Sequence, residues 1–204
     1  MSDVPDDHAP ADAPDVDVPR SRARRLAPLV VGVIAVLMVG LFVVLAGASP
    51  DDGGTSADSP LIGRPAPEAT GTLGDGTSFD LSRRKGSWVV LNFFDPTCVP
   101  CIREHPELVA FSEDQATLGT DGAELYSVIT RGDQAEIEAF FADNGGDWPA
   151  IYSEADEFPV AFGVAQVPET WIVDPSGVVQ LRLISTVTAE QLNSILRQYR
   201  EQYG

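Results

Sequence analysis

The spacing of hydrophobic and polar residues changes several times between residues 61 and 204, and each spacing predicts one kind of secondary structure. Apolar runs bounded by Gly, Pro and Asp predict strands, and apolar residues three and four positions apart behind a capping residue predict helices. After an N-terminal hairpin at 71–82, the predicted strands are 88–94, 123–130, 148–153, 169–174 and 178–184. The predicted helices start near Cys98, cover 133–144 and 156–162, and end with one that Thr188 caps. The main order of elements, β, α, β, α, β, β, α, predicts an α/β domain whose mixed sheet carries helices on both faces.

The first sixty residues follow a different pattern. Residues 1–25 are rich in Asp, Ala and Pro without a periodic apolar face, so they are predicted to be a disordered tail. Residues 26–48 carry no charge, and 23 helical residues reach roughly 34 Å, more than a bilayer core of about 30 Å. This run predicts a transmembrane signal anchor, the polar residues 49–60 predict a flexible linker, and residues 61–204 remain as the folded domain.

Charged residues around the apolar run predict its orientation. Four arginines between positions 20 and 25 precede it, whereas aspartates follow it and no basic residue appears until Arg64. The positive-inside rule therefore predicts a cytoplasmic N-terminus and an extracytoplasmic domain, in a single-pass protein of the cell membrane. The Ala46-Gly47-Ala48 stretch has the small-x-small form of a signal-peptide cleavage site, so a cleaved signal peptide is the alternative. Both interpretations export the domain.

The charge of the chain limits the partners it can take. The sequence has 31 acidic and 13 basic residues, a formal net charge of −18. Such a balance disfavours nucleic acid and anionic lipid headgroups as partners.

The chain contains two cysteines, Cys98 and Cys101, in a CVPC motif at the predicted start of a helix. Haem attachment would need a histidine where Ile102 stands. A structural zinc site needs a second pair of ligands, and the two histidines, His8 and His105, do not supply one. A structural disulfide closing so short a loop removes only about 2 kcal/mol of chain entropy, against nearly 5 kcal/mol for a 100-residue loop.

A redox dithiol is the interpretation that the spacing favours. At the first turn of a helix, Cys98 meets the positive end of the helix dipole and free backbone N–H groups, which favour its thiolate form. Cys98 is therefore the predicted nucleophile. Cys101, one turn further in, then attacks the mixed disulfide on Cys98 and releases the product. The chemistry needs no cofactor beyond the redox-active disulfide Cys98–Cys101.

Several motifs, in order, resemble the TlpA-like family of membrane-anchored, extracytoplasmic thioredoxin-fold proteins, which includes the thiol reductases of cytochrome c maturation (the ResA-CcmG-like branch). The segment IGRPAPEATGTLGDGTSFDLSRRKGSWVVLNFF looks like the first hairpin and central strand of this family. The segment CVPCIREHPEL is similar to its active-site helix, and FGVAQVPETWIVDPSGVV is similar to its proline loop and the hairpin that follows. The resemblance covers residues 61–204. It implies a thioredoxin-like mixed sheet with helices on both faces and a thiol:disulfide oxidoreductase activity.

The resemblance also assigns roles to three residues. Pro168 would be the cis-proline that faces the dithiol, with Val167 pairing its backbone with an extended substrate segment; an ordinary trans proline is the alternative. Glu104 matches an acid with which family members tune their thiols. A carboxylate one turn from a cysteine raises the pKa of that cysteine and can pass protons, whereas a solvated helix residue is the alternative.

Some positions depart from the family pattern. Phe94 and Thr97 stand where the family usually has tryptophans, which bears on substrate docking and on the reduction potential. Asn92 lies where thioredoxin itself buries an acid. His105 matches no role in the resemblance and is expected on the helix surface.

The resemblance implies a reductase of exported disulfide proteins, such as apocytochrome c, that receives electrons from a membrane donor protein. A disulfide-forming oxidant of secreted proteins shares these residues, because about 30 mV of potential corresponds to only 1.4 kcal/mol. A thiol peroxidase of the same fold needs Thr or Ser three positions before its cysteine, where Asp95 stands. A copper-delivery protein of this fold needs C-x-x-x-C and a distal histidine. The direction of the redox reaction stays open at this point.

Overall fold

The computed structural model describes residues 23–47, 54–153 and 157–203, in two compact units. The described part of the first unit is helix α1, Ala23–Gly47, which overlaps the predicted anchor. Within the part of the chain that the structure describes, no helix is both long and apolar enough to cross a membrane. The predictions for residues 1–22 of the tail, residue 48 of the anchor and residues 49–53 of the linker lie outside the described residues.

In the second unit, the described residues form an eight-stranded mixed sheet in the order β1-β8-β7-β4-β5-β6-β2-β3. The strands are β1 Thr55–Ser56, β2 Thr70–Leu73, β3 Ser78–Asp80, β4 Val89–Phe94, β5 Glu124–Ile129, β6 Ala150–Tyr152, β7 Glu169–Val173 and β8 Val179–Ile184. The helices are α2 Val99–Thr117, α3 Gln134–Asn144, α4 Glu157–Phe162 and α5 Ala189–Tyr203. The predicted α/β order is confirmed.

Strand β4 lies in the middle of the sheet because its side chains suit burial on both faces. All six of its residues are buried. It pairs in parallel with β5 and antiparallel with β7, where Asn92 lies opposite Thr170. One face of the sheet packs against α4 through Phe93, Phe158 and Trp171. The other face packs against α2 and α5, so the prediction of helices on both faces is confirmed.

The local signals in the sequence locate most element ends. Asp133 caps α3 in a reciprocal capping box with Glu136, and the hydroxyl of Thr188 accepts a hydrogen bond from the backbone N–H of Gln191 at the start of α5. Gly177, at φ 87°, makes the turn between β7 and β8. These signals work because each satisfies backbone groups within a few residues of itself.

Strand β1 lies inside the segment that was predicted as a flexible linker. Thr55 and Ser56 pair with β8, and the Gln191 amide donates to the carbonyl of Gly54 at 2.7 Å. A Cβ at Gly54 would lie 2.9 Å from Val187, so glycine permits close packing here rather than flexibility. Polar residues can form this strand because an edge strand needs a partner for its backbone more than apolar side chains. At residues 55–56, the linker prediction is replaced by an ordered edge strand.

Candidate active site

Cys98 occupies the N-cap position of α2, with β-region backbone angles of φ −78° and ψ 112°. Its Sγ accepts a hydrogen bond from the backbone N–H of Cys101 at 3.3 Å. The Cys98 side chain is half-buried, so a reacting sulfur can reach it. The helix N-terminus therefore presents its unpaired N–H groups and its positive dipole end to this sulfur. Both cysteines carry free thiols.

The turn between β4 and α2 is held by Asp95. Its Oδ1 accepts hydrogen bonds from the backbone N–H and the hydroxyl of Thr97, both at 2.7 Å. Its Oδ2 lies 3.5 Å from Nε of Arg131. Thr97, which departs from the family pattern, thus helps to hold the turn that places Cys98 at the start of the helix.

The loop before β7 faces Cys98. The Val167–Pro168 peptide bond is cis, which confirms that part of the prediction. The Cys98 thiol donates a hydrogen bond to the Val167 carbonyl at 3.6 Å. The structure therefore brings the Val167–Pro168 loop to Cys98, although 69 positions separate Cys98 from Val167 along the chain.

Cys101 lies beneath Cys98 and is completely buried, among Phe94, Ile129 and Ile137. Burial raises the pKa of the Cys101 thiol, and its interactions with Cys98 and Glu104 raise it further. The two sulfurs therefore differ as the sequence predicted: one is accessible at the helix tip and the other is a shielded thiol.

Glu104 is one turn after Cys101 and only 1% exposed, so the solvated alternative is wrong. Its Oε1 accepts a hydrogen bond from the backbone N–H of Val187 at 2.7 Å, and its Oε2 accepts one from the Asn92 amide at 3.0 Å. The same Asn92 nitrogen donates to Thr170 Oγ1 at 3.1 Å. Burial raises the pKa of Glu104 to about 7, although the two N–H donors favour the charged form.

The expectation for His105 was wrong, because its ring is 1% exposed. Its Nε2 is 2.8 Å from the carbonyl of Gly145, and since a carbonyl only accepts, Nε2 carries the hydrogen. The centroid of Phe140 lies 4.8 Å from that of His105, and the centroid of Trp148 lies 5.2 Å from it. Burial lowers the pKa of His105. The loop after α3 covers this face of α2, which the sequence of α2 alone did not indicate.

A signal for the buried face of α2 was present in the spacing of its residues. Cys101, Glu104, His105 and Leu108 fall at positions i, i+3, i+4 and i+7, and all four are buried. Such spacing is the pattern of a helix face that points into a core. Because Glu104 and His105 are polar residues, a count of apolar positions alone missed this face.

A second buried carboxylate follows the cis-proline and was not predicted. Glu169 is 1% exposed, and Arg182 pairs with it through Nε to Oε1 and Nη2 to Oε2, both at 2.9 Å. The indole N–H of Trp171 also donates to Oε1, at 2.6 Å. The guanidinium lies 5.4 Å from the centroid of the Trp171 ring. These contacts fix the first residue of β7 directly beside Pro168.

Among the described residues, no group of three or more His, Cys, Asp and Glu side chains is arranged to hold a metal ion. A central strand, a CxxC dithiol at a helix N-terminus and a facing cis-proline together define the thioredoxin-fold class of dithiol proteins. Within that fold, the chain belongs to the AhpC/TSA family, whose sequence pattern matches residues 62–182.

Two relatives support a narrower class. The chain is 27% identical over 142 residues to the thiol-disulfide oxidoreductase ResA of Geobacillus thermodenitrificans, covering 70% of this chain and 80% of that one. It is 29% identical over 135 residues to the thiol:disulfide interchange protein HelX of Rhodobacter capsulatus, covering 64% and 72%. The chain is thus a thiol:disulfide oxidoreductase, and these relatives are consistent with the resemblance to the ResA-CcmG-like branch seen in its motifs.

Solved structures support the fold. A secreted thiol-disulfide isomerase from Corynebacterium glutamicum matches with a TM-score of 0.61 at 23% identity, covering 72% of this chain and 92% of that one. A DsbF homologue from Corynebacterium diphtheriae matches with a TM-score of 0.59 at 24% identity, covering 74% and 96%. These similarities show a thioredoxin-like fold for the second unit.

Proposed function

We propose that this protein reduces disulfide bonds of exported proteins, such as apocytochrome c, with the dithiol of Cys98 and Cys101. The arrangement of the two sulfurs carries the proposal. The Cys98 sulfur is accessible at the start of α2 and 3.6 Å from the Val167 carbonyl, whereas Cys101 is fully buried. One sulfur can therefore attack a substrate while the other stays protected until it is needed.

The reaction has two sulfur exchanges. The Cys98 thiolate attacks one sulfur of a substrate disulfide, so that a Cys98–substrate disulfide forms and the other substrate sulfur leaves as a thiolate. Cys101 then loses its proton and attacks Cys98, which forms the Cys98–Cys101 disulfide and releases the second substrate thiolate. The substrate gains two electrons, and a membrane donor protein returns the dithiol to its reduced form.

Glu104 takes the proton of Cys101 in the second exchange. It lies one turn beyond Cys101 on the same buried face, and its pKa of about 7 suits both uptake and release of a proton near neutral pH. The proton then passes to the departing substrate thiolate. Glu104 is therefore proposed as an acid–base residue of the reaction rather than a structural one.

Val167 and Pro168 bind the substrate segment around its cysteine. A cis-proline loop leaves the backbone groups of Val167 available beside Cys98, and an extended segment can pair with them as a strand would. Such pairing recognises the backbone more than the side chains. It allows one enzyme to act on several exported substrates.

The test is a trapping experiment with Cys101→Ser, in which the second exchange cannot occur. We expect exported thiol proteins to accumulate as mixed disulfides on Cys98, and Cys98→Ser to trap none of them. If no mixed disulfide forms, the proposal is wrong. The reduction potential decides the direction: a value near the −270 mV of thioredoxin supports a reductase, and a value near the −120 mV of DsbA assigns an oxidant.

The proposal includes a membrane anchor in residues 26–48, a cytoplasmic N-terminus and an extracytoplasmic enzyme domain. The uncharged run and the four arginines before it support this topology. The full chain is expected to stay in the membrane pellet after alkaline carbonate washing, and a chain that begins at Gly54 is expected to be released. Release of the full chain would contradict the anchor.

A further inference from the structure

In the buried network beneath the dithiol, the side-chain nitrogen of Asn92 has hydrogen-bond partners among the described residues, whereas its side-chain oxygen has none. Its Nδ2 donates to Glu104 Oε2 at 3.0 Å and to Thr170 Oγ1 at 3.1 Å. Its Oδ1 is buried without a hydrogen-bond partner among the residues that the structure describes. A buried acceptor without a donor is destabilising, so this atom needs an explanation.

The observed orientation of the Asn92 amide fits the charged form of Glu104 only. Both carboxylate oxygens accept from N–H donors, one from Asn92 and one from the backbone of Val187. A protonated Glu104 would add an O–H donor, and the nitrogen of Asn92 cannot accept it. Rotating the amide by 180° would bring Oδ1 to this O–H.

Thr170 permits both orientations. Its hydroxyl accepts from Nδ2 in the observed arrangement, and a hydroxyl can equally donate to an oxygen placed there. The Asn92 side chain would leave one polar atom without a partner in either orientation, the oxygen in one and the nitrogen in the other. Both protonation states of Glu104 can therefore be served by the same three side chains, and the charged form gains more from the amide because its hydrogen bond is charge-assisted.

The orientation of the Asn92 amide is not determined by neighbouring charged groups. The elements packed around Glu104 present neutral groups to it, which are the Asn92 amide from β4, the Thr170 hydroxyl from β7 and the Val187 N–H from the loop before α5. Its own helix carries Cys101 one turn earlier and Glu107 one turn later, and Glu107 accepts from the backbone N–H of Ala189. Cys101 is thus the proton source in this network.

We propose that Asn92 is a positioning residue that lets Glu104 exchange a proton with Cys101, its amide turning over each time Glu104 gains or loses that proton. The inference rests on the proposed function of the dithiol. No atom of Asn92 reacts: the proton moves from Cys101 to Glu104 as the Cys98–Cys101 bond forms, and the amide rotates to accept the new O–H.

The experiment follows the reduced full chain after mixing with one equivalent of 5,5′-dithiobis(2-nitrobenzoate). The first release of nitrothiobenzoate reports attack by Cys98, and the second reports attack by Cys101 on the Cys98 adduct. In the wild type, the second rate is expected to rise with a midpoint near pH 7. Asn92→Leu removes the amide and keeps the volume, so it should move the midpoint up by roughly one pH unit and slow the second release about fivefold at pH 7.

Two comparisons make the test specific. In a Glu104→Gln background, Asn92→Leu is expected to cause no further change in the pH profile, because the amide acts through Glu104. Thr170→Val should also raise the midpoint of the second release. Thr170→Ser retains the hydroxyl, so its midpoint should be the same as that of the wild type. The threonine pair keeps the inference testable if Asn92→Leu does not fold.

The rotation itself can be followed by ¹⁵N NMR of the Asn92 side-chain amide. Its resonance should shift with pH at the midpoint of the second release, and the shift should vanish in Glu104→Gln. An unchanged midpoint in both Asn92→Leu and Thr170→Val, or a shift that persists without Glu104, would overturn the inference. Failure of the second release at every pH in the wild type would instead contradict the proposed function.

Discussion

Replacing Glu104 with Gln is expected to change how the stability of the folded domain depends on pH. Burial raises the pKa of Glu104 from 4.5 to about 7, so the folded state holds this proton more tightly than the unfolded state. The stabilisation from that proton is complete below pH 4.5 and is lost as the pH rises through 7. At about 1.4 kcal/mol per pH unit, the loss amounts to about 3 kcal/mol.

Glu104→Gln keeps the size of the side chain and cannot ionise, so it removes this loss. Relative to the wild type, the variant should therefore gain about 3 kcal/mol of unfolding free energy between pH 4.5 and pH 7.5. Urea unfolding of the reduced protein gives this difference. Tryptophan fluorescence is a suitable probe, because Trp88, Trp148 and Trp171 are all buried in the second unit.

Glu113→Gln is the matched control, because it removes a carboxylate from the exposed side of the same helix. Comparing the two variants separates burial of Glu104 from a general effect of negative charge on α2. A difference between wild type and Glu104→Gln that stays constant from pH 4.5 to pH 7.5 would refute the reasoning. It would mean that the carboxyl is solvated in the folded state.

Three further predictions concern other parts of the domain. Arg182→Met should lower the unfolding free energy by about 3–5 kcal/mol, because it leaves the Glu169 carboxylate buried without its cation. Urea unfolding tests this, and a loss below about 1 kcal/mol would contradict the buried pairing. Phe111→Ala, at a side chain with no exposed surface, should cost about 3–5 kcal/mol, and a near-neutral result would mean that the core between α2 and the sheet is loosely packed. Iodoacetamide should alkylate Cys98 at least about tenfold faster than Cys101 in the native protein, as mass spectrometry can determine, whereas equal rates would contradict the difference in burial.

The sequence predicts the scaffold well because its signals are local. The apolar run of β4 and the CVPC motif after it indicate a central strand followed by a helix start, and both lie where they were predicted. Capping residues work in the same way, since they satisfy backbone groups near them. Such features depend little on distant parts of the chain.

The buried polar contacts could not be predicted because they depend on the register of distant strands. A bulge between Ile172 and Val173 shifts the β7–β8 register, and it places Arg182 opposite Trp171 on the face that also carries Glu169. A shift of one residue would turn the arginine toward the opposite face of the sheet. Glu104 is buried for a similar reason, because its partners Asn92 and Val187 come from separate elements.

The two outer strands of the sheet affect whether concentrated copies of this molecule associate through their sheet edges. Strand β1 has two residues and strand β3 has three, and Thr55, Ser56, Ser78 and Asp80 make these borders polar. A neighbouring copy that tried to prolong the sheet would find only a few unpaired backbone groups at either border, beside hydroxyl and carboxylate side chains. The short polar borders thus discourage fibrous association, so crowded copies can remain separate and keep their dithiols accessible.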